Sequence, residues 1–315
     1  MSSPPAKRQR AENAPITRSD TWFSDGNVVL QADNTQFRVH WGVLALHSSV
    51  FSDMQGLPQP PDQPTVEGCA VVELQDDPED VELMLKALYS LKFHCQKRLP
   101  LPAVGAFLRL GRKYDIQDLF DSAVARLTSE FPTTLEGHDR ICFENLETIE
   151  ATYDNAIFDL ISIASDNNIS TALPCAYLYV VNYCSVDEIF DGFSKGRNND
   201  PIHLRRCIAA QTNLSIKQFK PGFTLSWIRS WEFDDSHCEN TSKCYSRRSR
   251  MFSSCVLSGF LGFVELKDLM QPDSVALCPV CTRLADGATR NGREKLWAEL
   301  PGDFGLAPWA ELRND

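Results

Sequence analysis

The chain has 315 residues, 43% of them hydrophobic, enough for about two domains with cores of their own. Its 31 Lys and Arg against 42 Asp and Glu leave a net charge of −11, which would repel a phosphate backbone unless positive charge were segregated on one surface, so nucleic acid is not an expected partner. The longest nearly apolar stretch, Ala172 to Val181, is interrupted by Pro174 and falls well short of the roughly 18 residues a membrane-spanning helix needs. Met1 to Ala14 has no apolar block to serve as a secretory signal, so the eleven cysteines read as thiols or metal ligands of an intracellular protein, nuclear or cytoplasmic.

Residues 1–19 hold three prolines, small polar residues and the run Lys7-Arg8-Gln9-Arg10, with almost nothing apolar to bury, and are expected to be a disordered basic tail. Lys7, Arg8 and Arg10 suit an extended peptide in the acidic groove of a nuclear import receptor; a merely solubilising tail is the alternative. From Thr21 the pattern changes. Asn27 to Ala32 and Thr35 to His40 read as two strands of a hairpin turned by Asp33-Asn34. Val43, Leu44, Leu46, Val50, Phe51 and Met54 recur at helical spacing, and four prolines between Leu57 and Pro64 then mark a loop. Ala70 to Leu74 is β-prone, and Asp76-Asp77-Pro78-Glu79 offers capping carboxylates and a first-turn proline to a helix with Val81, Met84, Leu85, Leu88 and Tyr89 on its apolar side. A second amphipathic helix follows Pro102. A third follows Asp115, with Ile116, Leu119, Phe120, Ala123, Val124 and Leu127 as its stripe.

Asp25-Gly26-Asn27-Val28-Val29-Leu30, Phe37-Arg38-Val39-His40, Val43-Leu44-Ala45, Ser48 with Phe51, Leu88-Tyr89, and Leu110 through Lys113-Tyr114-Asp115-Ile116 to Leu119 together resemble, in order and spacing, the BTB/POZ domain. With the tail and the helical continuation, the chain also resembles the large BTB-domain families of filamentous and mushroom-forming fungi. The resemblance implies a non-enzymatic protein–protein interaction role, homodimerisation through an apolar face, and service as an adaptor for a cullin-type ubiquitin ligase or in a nuclear regulatory complex. In dimeric relatives an Asp before the first hairpin strand pairs with a basic residue after the His that ends the second. Asp25 matches the acid, but Trp41 stands at the basic position, so Asp25 is either solvated or differently partnered, and Trp41 is a candidate interface residue. Cullin-binding relatives often carry an apolar residue, any residue and Glu before the third strand; here Thr65 precedes Glu67, and the motif is absent. His40 and His47 have no acid or thiol partner at useful spacing and read as packing residues.

Ile141 to Phe219 is dominated by helical patterning, with Cys175, Cys184 and Cys207 among apolar neighbours as core thiols. Near the C-terminus, Cys238 and Cys244 form one pair, and Cys278-Pro279-Val280-Cys281 another. Paired thiolates at short spacing each supply half of a tetrahedral site, so Cys238, Cys244, Cys278 and Cys281 are candidate ligands of one structural zinc ion, with His237 or Cys255 as substitutes; no other cofactor is expected. Two readings compete: ordinary reduced thiols on a helical surface, and Cys278-Pro279-Val280-Cys281 as the redox motif of a thiol-disulfide oxidoreductase, against which only 34 residues follow Cys281. The expected architecture is α+β: a BTB/POZ domain over 20–132, then a mainly α-helical C-terminal half divided into a helical extension over 141–225 and a Cys-containing, zinc-binding module over 230–315.

Overall fold

A nearly continuous apolar run from Val28 to Ala32 builds the centre of a five-stranded sheet. In this computed structural model, the residues described are 15–57, 62–90, 93, 96–141, 146–151, 153, 155–195, 200–234, 236–270 and 277–315. Strand β2 (Val28–Ala32) pairs antiparallel with β3 (Thr35–Val39), Val28 facing Val39 and Ala32 facing Thr35 across the two-residue turn, where Asp33 takes φ 46°. Val28, Val29, Leu30 and Ala32 are fully buried, because β2 is covered on both faces and bonded on both edges. Its other neighbour is β5 (Cys69–Leu74), parallel to it, and β4 (Thr65–Val66) completes that side through the Glu67-Gly68 turn, both turn residues at positive φ. The opposite edge is β1 (Thr17–Trp22), parallel to β3, giving the order β1-β3-β2-β5-β4.

β1 corrects the expected extent of the tail. Thr17 to Ser19 lie in the sheet, the Thr17 amide donating to the Asn34 carbonyl at 2.8 Å. An edge strand of mostly exposed residues is held by backbone bonds, so its sequence carries no apolar alternation to betray it. Residues 1–14, with Lys7, Arg8 and Arg10, lie outside the described residues.

Among the described residues, five helices belong to the same unit as this sheet: α1 (Trp41–His47), α2 (Ser49–Gly56), α3 (Pro78–Tyr89), α4 (Leu101–Lys113) and α5 (Gln117–Glu130). Helix α3 starts as its sequence demands, with the Asp77 carboxylate accepting from the Glu79 amide at 2.9 Å and Pro78 in the first turn. Residues distant in sequence interlock. The Ser48 hydroxyl caps α2 through the Phe51 amide and donates to the Tyr114 carbonyl, the Phe51 and Tyr114 rings stack at 4.6 Å, and the Tyr114 hydroxyl donates to Asp76 at 2.5 Å. The unit is closed by a segment that returns later in the chain: β6 (Leu99–Pro100) pairs parallel with β7 (Ile149–Glu150). The buried Glu130 carboxylate accepts from the amides of Glu147 and Thr148 and from the Thr148 hydroxyl, while Arg126 donates to the carbonyls of Gln96, Lys97 and Thr148. Backbone packing accordingly divides the chain into Met1–Glu130 with Leu146–Thr152, and Phe131–Asn145 with Tyr153–Asp315.

The second unit is helical: α6 (Leu135–Arg140), α7 (Ala156–Asp166), α8 (Leu173–Tyr183), α9 (Val186–Lys195), α10 (Pro201–Lys217), α11 (Ser226–Arg229), α12 (Thr241–Leu257), α13 (Leu266–Leu269) and α14 (Pro279–Asp303). It contains the segment expected as a helical extension, except for Leu146–Thr152, together with the cysteine-bearing segment. Leu160, Ile161 and Ala164 of α7 and most of α8 are fully buried, with Cys175 and Cys207 inside this core and Cys184 half-buried at its edge. Helix α14 approaches the backbone before α11 closely at Gly292, and the Trp227 indole there donates to Thr289 at 2.9 Å. Among the described residues, no helix is long and apolar enough to cross a membrane.

Candidate metal centre and interaction surface

The second unit gathers the four cysteines singled out by spacing. Cys238 precedes α12 and Cys244 lies in its first turns, while Cys278 caps α14 and Cys281 lies in the first turn of that helix. Asn240 caps α12 by accepting from the Lys243 amide at 2.9 Å, and Pro279 starts α14, so each pair is fixed by a helix start. All four sulfurs lie within 4.8 Å of one another, with Cys238 Sγ 3.5 Å from Cys281 Sγ and 3.9 Å from Cys278 Sγ. Four thiolates about 2.3 Å from a tetrahedral zinc ion stand about 3.8 Å apart, whereas a disulfide needs about 2.05 Å. These spacings suit a shared metal and no bonded pair.

The surroundings fit the same ion. The Cys278 amide donates to Cys244 Sγ at 3.4 Å and the Cys281 amide to Cys278 Sγ at 3.5 Å, bonds that orient sulfurs and stabilise negative charge on them. Two helix N-termini face the cluster and favour that charge further. Burial pushes the Cys278 thiol up, but hydrogen bonds from the Cys281 and Glu239 amides and from the Cys281 and Cys244 thiols outweigh it and bring it down to about 7. Burial, together with donation to neighbouring sulfurs, raises Cys281 and Cys244. Metal binding at such a site displaces thiol protons, and the amide bonds to the Cys244 and Cys278 sulfurs support the charge that is left. Leu277, Met251, Ala285, Trp227 and Leu225 belong to the same cluster, so the sulfurs pack against an apolar wall.

The substitutes do not join the set. The exposed His237 ring is bonded to the Ser236 hydroxyl at 2.8 Å, and Cys255, three turns along α12 from Cys244, is buried as an apolar core residue. The oxidoreductase alternative is disfavoured as well. A thioredoxin-type motif needs a sheet behind it, and among the described residues of this unit there is only one isolated bridge, Ile169 to Asn314. The cavity lined by Trp231, Tyr245, Arg248 and the cysteines measures about 40 Å³, room for a water or two and not for a disulfide substrate.

In the first unit the structure settles the surroundings of Asp25 and Trp41. The Asp25 carboxylate is 83% exposed and lies 3.3 Å from His40 Nε2, so it is both solvated and differently partnered. His40 itself packs against the Phe23 and Tyr89 rings, its amide bonded to the Tyr89 hydroxyl at 2.9 Å. Trp41 is 9% exposed, its amide held by Asn27 Oδ1 at 2.8 Å, so little of its ring is available to a partner; Leu46, at 78%, is the prominent exposed apolar side chain of α1. Sequence reasoning missed Leu46 as a surface feature because Val43 and Val50, three residues before it and four after it, give it helical spacing like that of core residues. Glu67 is engaged within the sheet by Arg18 at 2.8 Å and Arg38 at 2.9 Å.

Residues 19–130 match the family model described as the BTB/POZ domain. No curated protein matches the chain.

Proposed function

We propose, taking residues 19–130 as the BTB/POZ domain they match, that the chain works by binding other proteins, with that domain self-associating and the second unit held together by one structural zinc ion. The observation that carries the interaction role is the domain match, realised in a sheet whose helices leave Leu46 exposed on α1. The four-sulfur cluster supports the zinc. When bound, that ion supplies a closed cross-link between the starts of α12 and α14; Cys238, Cys244, Cys278 and Cys281 hold it, and no catalytic step is assigned to it. Recruitment of a cullin-type scaffold rests on the family alone, since the only Glu near the expected motif is committed to Arg18 and Arg38. Work in the nucleus rests on Lys7, Arg8 and Arg10, and an intracellular setting on the free thiols among the described residues.

Light scattering of the full chain tests self-association. At tens of micromolar, a concentration that populates even weak interfaces, a dimer is expected, and Leu46→Glu is expected to shift it toward monomer. A monomer for the unsubstituted chain under those conditions contradicts the reading.

A further inference from the structure

Asn240 to Val264 contains four cations and no acid, in a chain with net charge −11. Helix α12 carries all four. Arg248 is used internally, its guanidinium 4.5 Å over the Trp231 ring and 5.7 Å from that of Tyr245. The other three, Lys243, Arg247 and Arg250, are spaced i, i+4 and i+7, so they share a face, and Ser254 and Leu257 continue it. At 100° per residue this stripe occupies an arc of about 80° and runs about 21 Å along the axis. It is separate from the stripe of Cys244, Met251 and Cys255 that the helix buries.

Among the described residues, Lys243, Arg247 and Arg250 stand apart from the other helix cations. Elsewhere helix cations meet acids, as in Lys86 with Glu82, Lys113 with Asp76, Lys217 with Asp303 and Arg290 with Asp286. Among the described residues, Lys243, Arg247 and Arg250 form no ion pair, and Lys243 and Arg250 are exposed. Their placement does not serve the helix, either. Cations stabilise a helix near its C-terminus, yet α12 has none in its last turn and carries Lys243 in its first. At the C-terminal end of the stripe, Leu257 is 88% exposed and Val256 beside it 52%.

We propose that this face of α12 binds a short acidic protein segment that sets carboxylates against Lys243, Arg247 and Arg250 and an apolar side chain on Leu257. Charge complementarity selects an acidic occupant, and the exposed leucine selects peptide over nucleic acid, because a phosphate backbone gains nothing from covering it. A long polyanion would also meet the acidic remainder of the chain, which a short segment avoids. The surface lies in the second unit, outside residues 19–130.

The test uses the full chain and a labelled helical peptide with Glu at i, i+4 and i+7 and Leu at i+14, beside a version with Gln for Glu and a thymidine oligonucleotide. The acidic peptide is expected to bind at least about tenfold more tightly than the Gln version, with affinity falling as salt rises. Replacing Lys243, Arg247 and Arg250 together by Gln should abolish the preference, and Leu257→Ser should weaken the peptide several-fold while leaving any oligonucleotide binding unchanged. All substituted positions are on the solvent side of α12, and an unaltered protease pattern verifies that each variant is folded. Equal affinity for acidic and neutral peptides, tighter binding of the oligonucleotide, or folded variants that bind like the unsubstituted chain would overturn the proposal.

Discussion

At Gly292 the absence of a side chain decides how two backbones pack. A Cβ there would lie 2.3 Å from the Thr224 amide nitrogen and 2.4 Å from the Phe223 carbonyl carbon, backbone atoms that cannot swing aside. Gly292→Ala would gain about 1 kcal/mol of helix propensity, and the forced separation costs typically about 1–3 kcal/mol or more where backbone must move. A lowered unfolding midpoint of the full chain in urea is therefore expected; an unchanged or raised midpoint would mean that α14 relaxes freely. Nothing in the sequence marks this glycine, since a lone Gly inside a helical pattern reads only as a weak point. Other single residues were legible. The Asp33-Asn34 turn forms where turn chemistry puts it. Trp41's own burial was not legible, because a tryptophan at the start of a helix serves a core or an interface equally well, and only the packing shows which.

Helices α12 and α14 show what motif spacing can and cannot convey. Cys278-Pro279-Val280-Cys281 announces its geometry, because a cap residue and a first-turn proline fix both sulfurs near one helix end. The wider Cys238-to-Cys244 spacing is ambiguous until Asn240 is seen to start α12 between them, bringing an irregular segment and a first helical turn onto one point. That these two pairs meet across more than thirty residues depends on the apolar cluster around Trp227 and Met251, which no local pattern encodes. If the site holds zinc, elemental analysis of the full chain purified in reducing buffer without chelators should give one ion per chain. Cys278→Ser should lose it, and residues 230–315 should then become protease-sensitive while 20–130 stay resistant, because metal binding free energy is folding free energy for its own unit. Metal-free protein with the same protease pattern as Cys278→Ser would reduce the four residues to ordinary thiols.

For the whole molecule, two histidines tie stability to pH. His203 is 1% exposed, with Nδ1 2.5 Å from the Tyr177 hydroxyl, and burial lowers its pKa from the ordinary 6.5. Burial likewise lowers that of His138, which packs against the Phe263 and Trp297 rings. Each folded imidazole resists a proton that the unfolded chain accepts, so their stabilising contribution is complete above about 6.5 and declines as pH falls through the depressed folded values. Urea midpoints between about pH 7.5 and 5 should fall with acidification, and less steeply for His203→Gln than for the unsubstituted chain prepared identically. Equal slopes would remove His203 from the account. The histidines' burial was unreadable from sequence because it depends on tertiary neighbours, whereas the helical character of the second half followed from periodicity alone. The first sheet was legible in its hairpin and not at its β1 edge, and the two-residue β7, paired with β6 apart from that sheet, left no pattern either; both are held by backbone bonds.

That return of Leu146–Thr152 to the first unit alters what a break in the chain would do. The polypeptide passes between the two units three times, so a single cleavage between residues 131 and 145 severs one covalent connection and leaves the later piece still seated beside β6, its amides on the Glu130 carboxylate. The nicked protein would run as two fragments in detergent yet migrate as one particle in native buffer. A gene fragment that stops at residue 130 would lack the strand that covers its own end, leaving Glu130 buried without its donors or newly open to water. The span of sequence that resembles a domain and the span that folds as one unit therefore differ by one short, late segment.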